Sequence, residues 1–427
     1  MLKTLQNAWR IPELRKKLIF TAMIMLLYRI GNVIPVPFIN PGSVAGYFDA
    51  VLSDTILGLF NAMSGSALSQ ATVLALSIQP YINASIIVQL LTIALPFMER
   101  WSKEEGEEGK KKINLCTRIG TVVLGLLMGW AYYTMIAQNN ASYQLLTETG
   151  LIPAIVIILT FTAGSAVVMW LGEQITEHGI GNGISMILFA NIISRFPSMA
   201  TSIFQMFNAQ TWWIGILVII GIAALVLLII FVNDAERRIP VQYAKRVVGR
   251  KVYGGQNTNL PIKVAMTGVM PIIFAQSIAS LPATIYAFTG MQQGWWYKNI
   301  WAAESWTYAV IYFLLIFFFS WFYATIQYDP VEISNNLKKN GGFVPGFRPG
   351  KPTADFIKKV IGKIVIFGAI YLGIVALLPI IAGNLVVSVK NLAIGGTSVI
   401  IVVSVALETV KALEAQMLMR HYKGFLD

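Results

Sequence analysis

The sequence predicts an all-α polytopic membrane protein, and three observations support this fold class. Apolar residues make up 56% of the 427 residues and charged residues only 12%, whereas soluble domains carry about 25% charged residues. Apolar segments long enough to cross a bilayer recur from one end of the chain to the other. Lys and Arg collect in alternate connecting segments, as the positive-inside rule requires of a multi-pass protein.

Ten segments are long and apolar enough to be transmembrane helices. They cover residues 18–36, 71–95, 115–137, 152–171, 184–206, 212–232, 264–288, 306–327, 361–383 and 396–413. The sixth is the most uniformly apolar and is expected to face lipid. The fifth is the weakest, because Asn191, Arg195 and Pro197 interrupt it. Ten helices could divide into two halves of five. Because five is an odd number, the two halves would then have inverted orientations in the membrane.

The distribution of Lys and Arg predicts that both termini are cytoplasmic. With the N-terminus inside, 28 of the 32 Lys and Arg residues fall on that side. The start of the chain, MLKTLQNAWRIPELRKK, is polar and basic, and no small-residue cleavage site follows the first apolar segment. We therefore expect no cleavable signal peptide. Arg29 lies near the outer end of the first span, where its side chain is expected to snorkel to the interface.

Residue content argues against several functional classes. One cysteine, Cys116, excludes an intramolecular disulfide, and the two histidines, His178 and His421, are too few for a histidine metal cluster. No catalytic motif is visible, and the middles of the spans lack the titratable residues that coupled transporters use. The glycine-rich stretch Glu177–Gly183 has no strand before it, so we interpret it as a tight turn and not as a nucleotide loop. A secondary transporter or small-solute channel, and a membrane-embedded enzyme, are the competing interpretations.

The second span carries one isoleucine stripe and two polar stripes at helical spacing. The isoleucine stripe consists of Ile78, Ile82 and Ile86, and the polar stripes consist of Gln79 with Asn83 and Ser85 with Gln89. This pattern suits a helix that lines a wet cavity with an apolar constriction. It equally suits interhelical hydrogen bonding in a packed bundle.

The seventh span has a similar polar character. Gln276, Ser277 and Ser280 lie between Pro271 and Pro282. Two kinked helices that both carry polar side chains suit an interface that can open. Polar pairs between the helices can hold the interface closed, and an arriving apolar segment can displace those pairs. This second helix favours the cavity interpretation.

Three further segments do not span. The stretch Ser53–Ala71 is too short and too rich in Ser and Gly to cross, but it is amphipathic enough to fold as a short helix inside an outer cavity. The loops 233–263 and 328–360 are longer than a helix connection needs. They mix basic residues with aromatics, Gly and Pro, which suggests docking surfaces for a large cytoplasmic partner, including one that carries RNA. The alternative is solvated loops whose charge sets orientation and attracts anionic lipid.

Five motifs, in this order along the chain, closely resemble the SecY family of protein-translocation channels. They are PYINASIIVQLL (Pro80–Leu91), MWLGEQITEHGIGNGIS (Met169–Ser185), LPIKVAMTGVMP (Leu260–Pro271), GGFVPGFRPGK (Gly341–Lys351) and GGTSVIIVV (Gly395–Val403). The stretch IGNVIPVP after the first span also fits. Together the matches extend from the first span to the last.

The resemblance implies a clamshell of two pseudo-symmetric five-helix halves, residues 1–211 and 212–427, around an hourglass pore. Secretory polypeptides would pass through the pore, and transmembrane segments would leave sideways between the second and seventh helices. A plug near residues 55–65 would close the outer funnel. No cofactor and no enzymatic activity are implied.

The resemblance also assigns roles to individual positions. The implied pore ring is Ile78, Ile82, Ile184, Leu188, Ile278 and Ile401, with Ile400 as the alternative to Ile401. The implied plug residues are Ile56, Leu57, Leu59, Phe60 and Met63. The implied lateral-gate residues are Asn83, Ser85, Ile86, Gln89, Gln276, Ser277 and Ser280. The implied docking residues for a motor or a ribosome are Arg246, Arg250, Lys251 and Arg348. Leu188 departs from the mainly isoleucine ring of the family and keeps its apolar bulk.

The resemblance implies several partners in a cell inner membrane. These are an obligatory small subunit, SecE, a peripheral subunit, SecG, the SecA motor ATPase, the ribosome, signal peptides and secretory polypeptides, and membrane lipid. The first cytoplasmic loop, ERWSKEEGEEGKKK, is more acidic than the family pattern, so no partner contacts are assigned there.

Overall fold

The described chain is built mainly from helices. The structure, a computed structural model, describes residues 2–52, 56–205, 207, 212–243, 246–248, 251–253, 257–289, 300–301, 305–385 and 396–423. Its α-helices are α1 (Leu2–Arg10), α2 (Pro12–Gly31), α3 (Pro41–Tyr47), α4 (Ile56–Met63), α5 (Gln79–Ala94), α6 (Pro96–Lys103), α7 (Gly106–Tyr143), α8 (Leu151–His178), α9 (Gly183–Ile193), α10 (Phe196–Gln205), α11 (Trp212–Asp234), α12 (Met270–Thr289), α13 (Trp306–Gln327), α14 (Pro330–Lys339), α15 (Lys351–Leu385) and α16 (Gly396–Lys423). A π-helical turn, Phe48–Leu52, follows α3.

The helices confirm a multi-pass membrane protein. Within the described ranges, six spans are long and apolar enough to cross a membrane, and a seventh is added if α5 and α6 count as one bent span. Each of the ten predicted segments contains a helix. The first, seventh and tenth, which contain α2, α12 and α16, are not among those six or seven. The count of ten therefore stays a prediction.

The second predicted span becomes helical later than expected. Its beginning, residues 71–78, runs through turns in which Ala71 and Ser77 have positive φ values of 46° and 50°. A residue in the left-handed region interrupts a right-handed helix. The helix then begins where Pro80 occupies its first turn, a position that suits proline. It ends just before Pro96, and α6 departs from the axis of α5 by 106°.

The fifth and seventh spans show where local sequence interrupts a helix. The predicted break in the fifth span is confirmed, because α9 ends at Ile193 and α10 begins at Phe196. The seventh span starts later than predicted, because residues 264–269 form turns and Gly268 has a φ of +58°.

The stretch between α8 and α9 is the predicted tight turn. It is preceded by a helix and not by a strand. The side-chain oxygen of Asn182 caps α9 by accepting hydrogen bonds from the backbone N–H groups of Ile184 and Ser185, at 3.0 and 3.3 Å. The Thr21 hydroxyl of α2 accepts a hydrogen bond from the Ile180 N–H at 3.2 Å, which ties this turn to the first span.

The two long basic loops contain strands, which the all-α prediction does not include. The strands are β1 (Glu236–Tyr243), β2 (Arg246–Val248), β3 (Lys251–Tyr253), β4 (Asn257–Lys263) and β5 (Gly342–Phe343). An antiparallel sheet of order β4-β1-β5 joins the loops, with Gln242 opposite Phe343 and Tyr243 opposite Gly342, and β2 and β3 form a separate hairpin. In β1 the buried Ile239 and Val241 alternate with exposed neighbours, as expected for a strand with one covered face. The two loops thus form one folded unit.

Four apolar cores hold the described elements. The largest lies inside the helix bundle and draws on α2, α5, α8, α9, α11, α12, α13, α15 and α16. A second lies between α3, α4, α7 and α8. A third lies under the β4-β1-β5 sheet, where Ile239, Ile262 and Val344 pack on Ile357 and Ile361 of α15. The smallest consists of Ala8, Leu14, Ile180 and Leu413.

Candidate channel interior and docking surface

The predicted pore-ring residues come from four helical elements and meet in one apolar cluster. Four of them, Ile78, Ile82, Leu188 and Ile401, are buried with at most 5% of their surface exposed. The remaining two, Ile184 and Ile278, are partly buried and pack against the same cluster. The cluster also contains Ile400, which is 1% exposed, so burial does not decide between it and Ile401.

Local geometry at the helix starts positions this cluster. Ile78 is the N-cap of α5, and Ile82 lies one turn further along the same helix. The Asn182 cap fixes the start of α9, from which Ile184 and Leu188 project one turn apart. The six predicted ring side chains are therefore all branched and apolar, and they come from different helices.

A small cavity lies beside this constriction. Its volume is about 40 Å³, which is room for a few water molecules and not for a polypeptide. It is lined by Leu57, Phe60, Ser64, Leu68, Ala75, Leu76, Ser77, Ile78, Gln79, Met128, Tyr132 and Leu188. The lining brings α4 directly against two predicted ring residues.

The predicted plug segment is a short helix, as expected. Helix α4 packs against α9 and α12. Leu57 is buried, and Phe60 is partly buried where the two membrane cores meet. The side chains of Ile56, Leu59 and Met63 lie outside the described part of the structure.

The turn after α4 is tightly folded. Gly65 and Ser66 both have a φ of +69°, in the left-handed region that L-residues other than glycine rarely adopt. Asn61 holds this turn from both sides: its carbonyl accepts the Ser66 N–H at 2.8 Å, and its side-chain oxygen accepts the Ser69 N–H at 2.9 Å.

A buried polar cluster beside that turn was missed by sequence reasoning. The hydroxyls of Tyr28 and Ser77 are 2.9 Å apart, and the Asn191 amide donates to the Ser77 hydroxyl at 3.2 Å. Nη1 of Arg29, both amide atoms of Asn32 and Oδ1 of Asn191 are buried without a hydrogen-bond partner in the described structure. Arg29 is half-buried as a whole, so the snorkelling of its side chain stays a prediction, although this nitrogen is buried. Three residues of this cluster lie close together in the sequence at one end of α2; these are Tyr28, Arg29 and Asn32. This grouping of polar residues was the only feature of the sequence that could have indicated the cluster.

The predicted gate residues lie on two helices that contact each other, α5 and α12. On α12, Gln276, Ser277 and Ser280 are buried, with 2%, 5% and 2% of their surface exposed. On α5, Ile86 is buried, while three polar residues are half-buried; these are Asn83, Ser85 and Gln89. Polar residues of both helices thus lie inside the protein, where lipid would not solvate them.

Three of the predicted docking residues lie in the described part of the two basic loops. Arg348 is exposed on the turn between β5 and α15, and its backbone carbonyl accepts the Thr353 hydroxyl at 2.8 Å. Phe347 stacks on Phe356 with ring centroids 4.3 Å apart, which anchors the turn. Arg246 lies in β2 and Lys251 in β3, with side chains outside the described structure.

Arg250 lies outside the described residues. The nearest described residues on either side, Val248 and Lys251, belong to the β2–β3 hairpin.

In the acidic segment 99–112, two of the five glutamates pair with lysines of the same segment. Lys112 contacts Glu105 at 2.6 Å, and Lys110 contacts Glu107 at 2.9 Å. The hydrogen bond from Lys110 lowers the pKa of Glu107. These pairs are solvent-exposed and contribute little to stability. They reduce the free negative charge that a basic partner could meet.

The fold defines a class: a multi-pass helical membrane protein with a large apolar core inside its helix bundle. Among the described residues, no group of three His, Cys, Asp or Glu could hold a metal ion.

Comparison with known proteins narrows this class to one family. The family model SecY matches residues 72–410. The protein translocase subunit SecY of Streptomyces scabiei is 42% identical over 438 aligned residues that cover 100% of both chains. The chain belongs to the SecY family, and the resemblance predicted from its motifs is confirmed. It is accordingly a channel subunit of a protein translocase and not an enzyme.

Solved structures agree with the fold. A structure described as that of a protein-conducting channel has a TM-score of 0.65 and 17% identity, over 94% of this chain and 92% of the other. Sec61 from a canine ribosome–channel complex has a TM-score of 0.61 and 16% identity, over 94% and 92%. At these identities the likeness concerns the fold.

Proposed function

We propose that this chain forms the pore through which unfolded secretory polypeptides cross the membrane, and that it releases transmembrane segments sideways into lipid. The observation that carries the proposal is that six branched apolar residues from four helical elements share one apolar cluster, beside a cavity that α4 lines. Family membership indicates the activity, which is polypeptide transport, and the geometry suggests which residues perform it.

The six ring residues would form a constriction that adapts to any sequence. An apolar ring dewets and blocks ions, yet its side chains can change rotamer around a passing chain. It makes no specific hydrogen bonds, so it does not select among substrates. The ring would consist of Ile78, Ile82, Ile184, Leu188, Ile278 and Ile401.

Helix α4 would act as the plug. It lies against the constriction through Leu57 and Phe60, and it is too short to cross the membrane. Displacing it would open the cavity to an arriving chain. The turn with positive φ values that follows α4 would mark the boundary of the segment that moves.

The contact between α5 and α12 would act as the lateral gate. The halves 1–211 and 212–427 would move apart there, because α5 belongs to the first half and α12 to the second. Buried polar groups on both helices would separate at a lower energetic cost than apolar packing of the same area, since water can replace their partners. An apolar signal segment could then take their place and continue into lipid.

The cytoplasmic unit would bind the motor or the ribosome. Its three-stranded sheet joins both basic loops, and the separate β2–β3 hairpin lies between β1 and β4 in the chain, so Arg348 and the hairpin would share one platform. An exposed arginine can pair bidentately with partner carboxylates or with RNA phosphates. The Sec61 channel named above was solved in a ribosome complex, which supports the ribosome as one partner. SecA would be the motor, SecE the obligatory subunit and SecG a peripheral one.

The chain would reside in the cell inner membrane with both termini in the cytoplasm. The Lys and Arg distribution supports this orientation, since 28 of 32 lie on that side. The cytoplasmic basic unit would then face the compartment in which secretory chains are made.

Reconstitution tests the function. Vesicles that contain this chain with SecE, supplied with SecA and ATP, are expected to make a secretory precursor resistant to external protease. The matched control is vesicles with SecE alone. Equal protection in the two preparations would contradict the proposal, because transport would then not need this chain.

A further inference from the structure

Arg29 contacts the end of the proposed plug. A Cβ atom built on Gly65 would lie 2.7 Å from Nη1 of Arg29, 3.0 Å from Oγ of Ser194 and 3.3 Å from the carbonyl oxygen of Asn191. A Cβ at this position would require the Arg29 side chain to shift. The guanidinium of α2 and the end of α9 therefore enclose the turn that follows α4.

The enclosed nitrogen is not satisfied. Nη1 of Arg29 is buried and has no hydrogen-bond partner in the described structure. A buried donor on a charged group that lacks a partner is costly, because it has lost its water and gained nothing in return. The orphan amide atoms of Asn32, one turn along the same face of α2, add to this deficit.

Two effects of Arg29 on the seated plug oppose each other. Its positive charge near the carbonyl end of α4 attracts the helix, an effect worth at most about fivefold in an equilibrium constant. The loss of hydration at a charged, unpaired donor is worth more than about tenfold. The larger effect disfavours the seated plug. Withdrawal of the turn would admit water to Nη1 and remove the penalty.

We propose that Arg29 is a release residue, whose unpaired guanidinium nitrogen raises the free energy of the seated plug and so lowers the threshold for displacing α4. This inference rests on the proposed plug function and deepens it. The left-handed Gly65–Ser66 turn would be the point at which the segment leaves, since Asn61 preserves the turn as a unit through its two hydrogen bonds.

Cysteine labelling measures the seated state directly. The chain has one cysteine, so a Cys116→Ser background allows a single probe at Ser66→Cys, a nearly isosteric change at a half-buried position. A membrane-impermeant maleimide is added outside idle proteoliposomes that contain this chain with SecE. At reagent concentrations where the rate is proportional to maleimide, labelling reports the population of the displaced plug.

Removing the charge is expected to slow that labelling. Arg29→Met keeps an unbranched apolar stem, although a shorter one, and removes the charge and the donors, so labelling should fall about tenfold relative to the parent. Arg15→Met is the matched control, because Arg15 is exposed at the opposite end of α2, and it should leave the rate unchanged. Faster labelling in Arg29→Met would show that Arg29 is a clamp, and an unchanged rate would show that it has no effect. Either result overturns the proposal.

Folding gives a second readout. Because the side chain is proposed to destabilise the closed state, Arg29→Met and Arg29→Leu should unfold at the parent's temperature or above. A lower unfolding temperature in both variants, or failure of both to fold, would also overturn the inference. Failure of the plug function itself looks different: Ser66→Cys in the parent would then label at the same rate with and without a stalled secretory chain in the pore.

Discussion

An Ile82→Asn channel is expected to leak ions at rest. Ile82 is 5% exposed within the proposed constriction, and an amide there would bind water where the isoleucine excludes it. Wetting should become easier by about 1.4–3 kcal/mol, which corresponds to about a 10- to 100-fold rise in idle conductance. Conductance across planar bilayers that contain the purified complex measures the effect.

The matched control for this variant lies on the same helix. Ile87 is 46% exposed on the outer face of α5, so Ile87→Asn introduces the same amide away from the proposed ring. Its idle conductance should equal that of the parent. Equal conductance in both variants, with Ile82→Asn correctly folded, would contradict the assignment of Ile82 to the constriction.

Reversing the charge at Arg348 is expected to abolish motor-driven export while the channel stays folded. The side chain is exposed, and the turn beneath it is held by the backbone and by the Phe347–Phe356 stack, not by the guanidinium. Losing a bidentate pair and creating a like-charge contact should lower motor affinity by about 3 kcal/mol or more, over a hundredfold. ATP-dependent precursor protection in vesicles measures the loss.

Lys339→Glu is the control for charge alone. Lys339 is exposed at the end of α14 in the same basic loop, so the two variants carry the same net charge. Export should fall far less in Lys339→Glu. Normal export in Arg348→Glu would refute the docking role, and equal loss in the two variants would indicate a general electrostatic effect.

Much of the interior follows from local sequence. The isoleucine stripe on α5 and the Asn182 turn before α9 are both features of a few neighbouring residues, and both were predicted. The late start of α5 could also have been predicted, because Pro80 is typical of the first turn of a helix. The span was instead assigned from the length of the apolar segment, and hydropathy indicates burial and not backbone conformation.

The strands of the basic loops were missed for a different reason. In β1 the inward residues Ile239 and Val241 alternate with exposed ones, which is a strand signal. The high charge of the segment masked it. The pairing of β1 with β5 joins two loops far apart in the chain, and local patterns carry no information about such pairings.

The contact of Arg29 with Gly65 also lay beyond local reasoning. Arg29 belongs to α2 and Gly65 to the turn after α4, and only the packed bundle brings them together. A charged residue near a helix end normally reaches the interface. Here neighbouring segments bury its Nη1, and this depends on tertiary structure.

Photo-crosslinking during translocation tests the central claim, that the secretory chain passes through the proposed ring. Photoreactive residues at Ile82 on α5 and Ile278 on α12 occupy opposite halves, and one at Ile87 serves as the outward-facing control. With a secretory chain stalled in the pore, both ring positions should crosslink to it and Ile87 should not. Absence of crosslinks at both ring positions, while the stalled chain crosslinks elsewhere in the protein, would contradict the account.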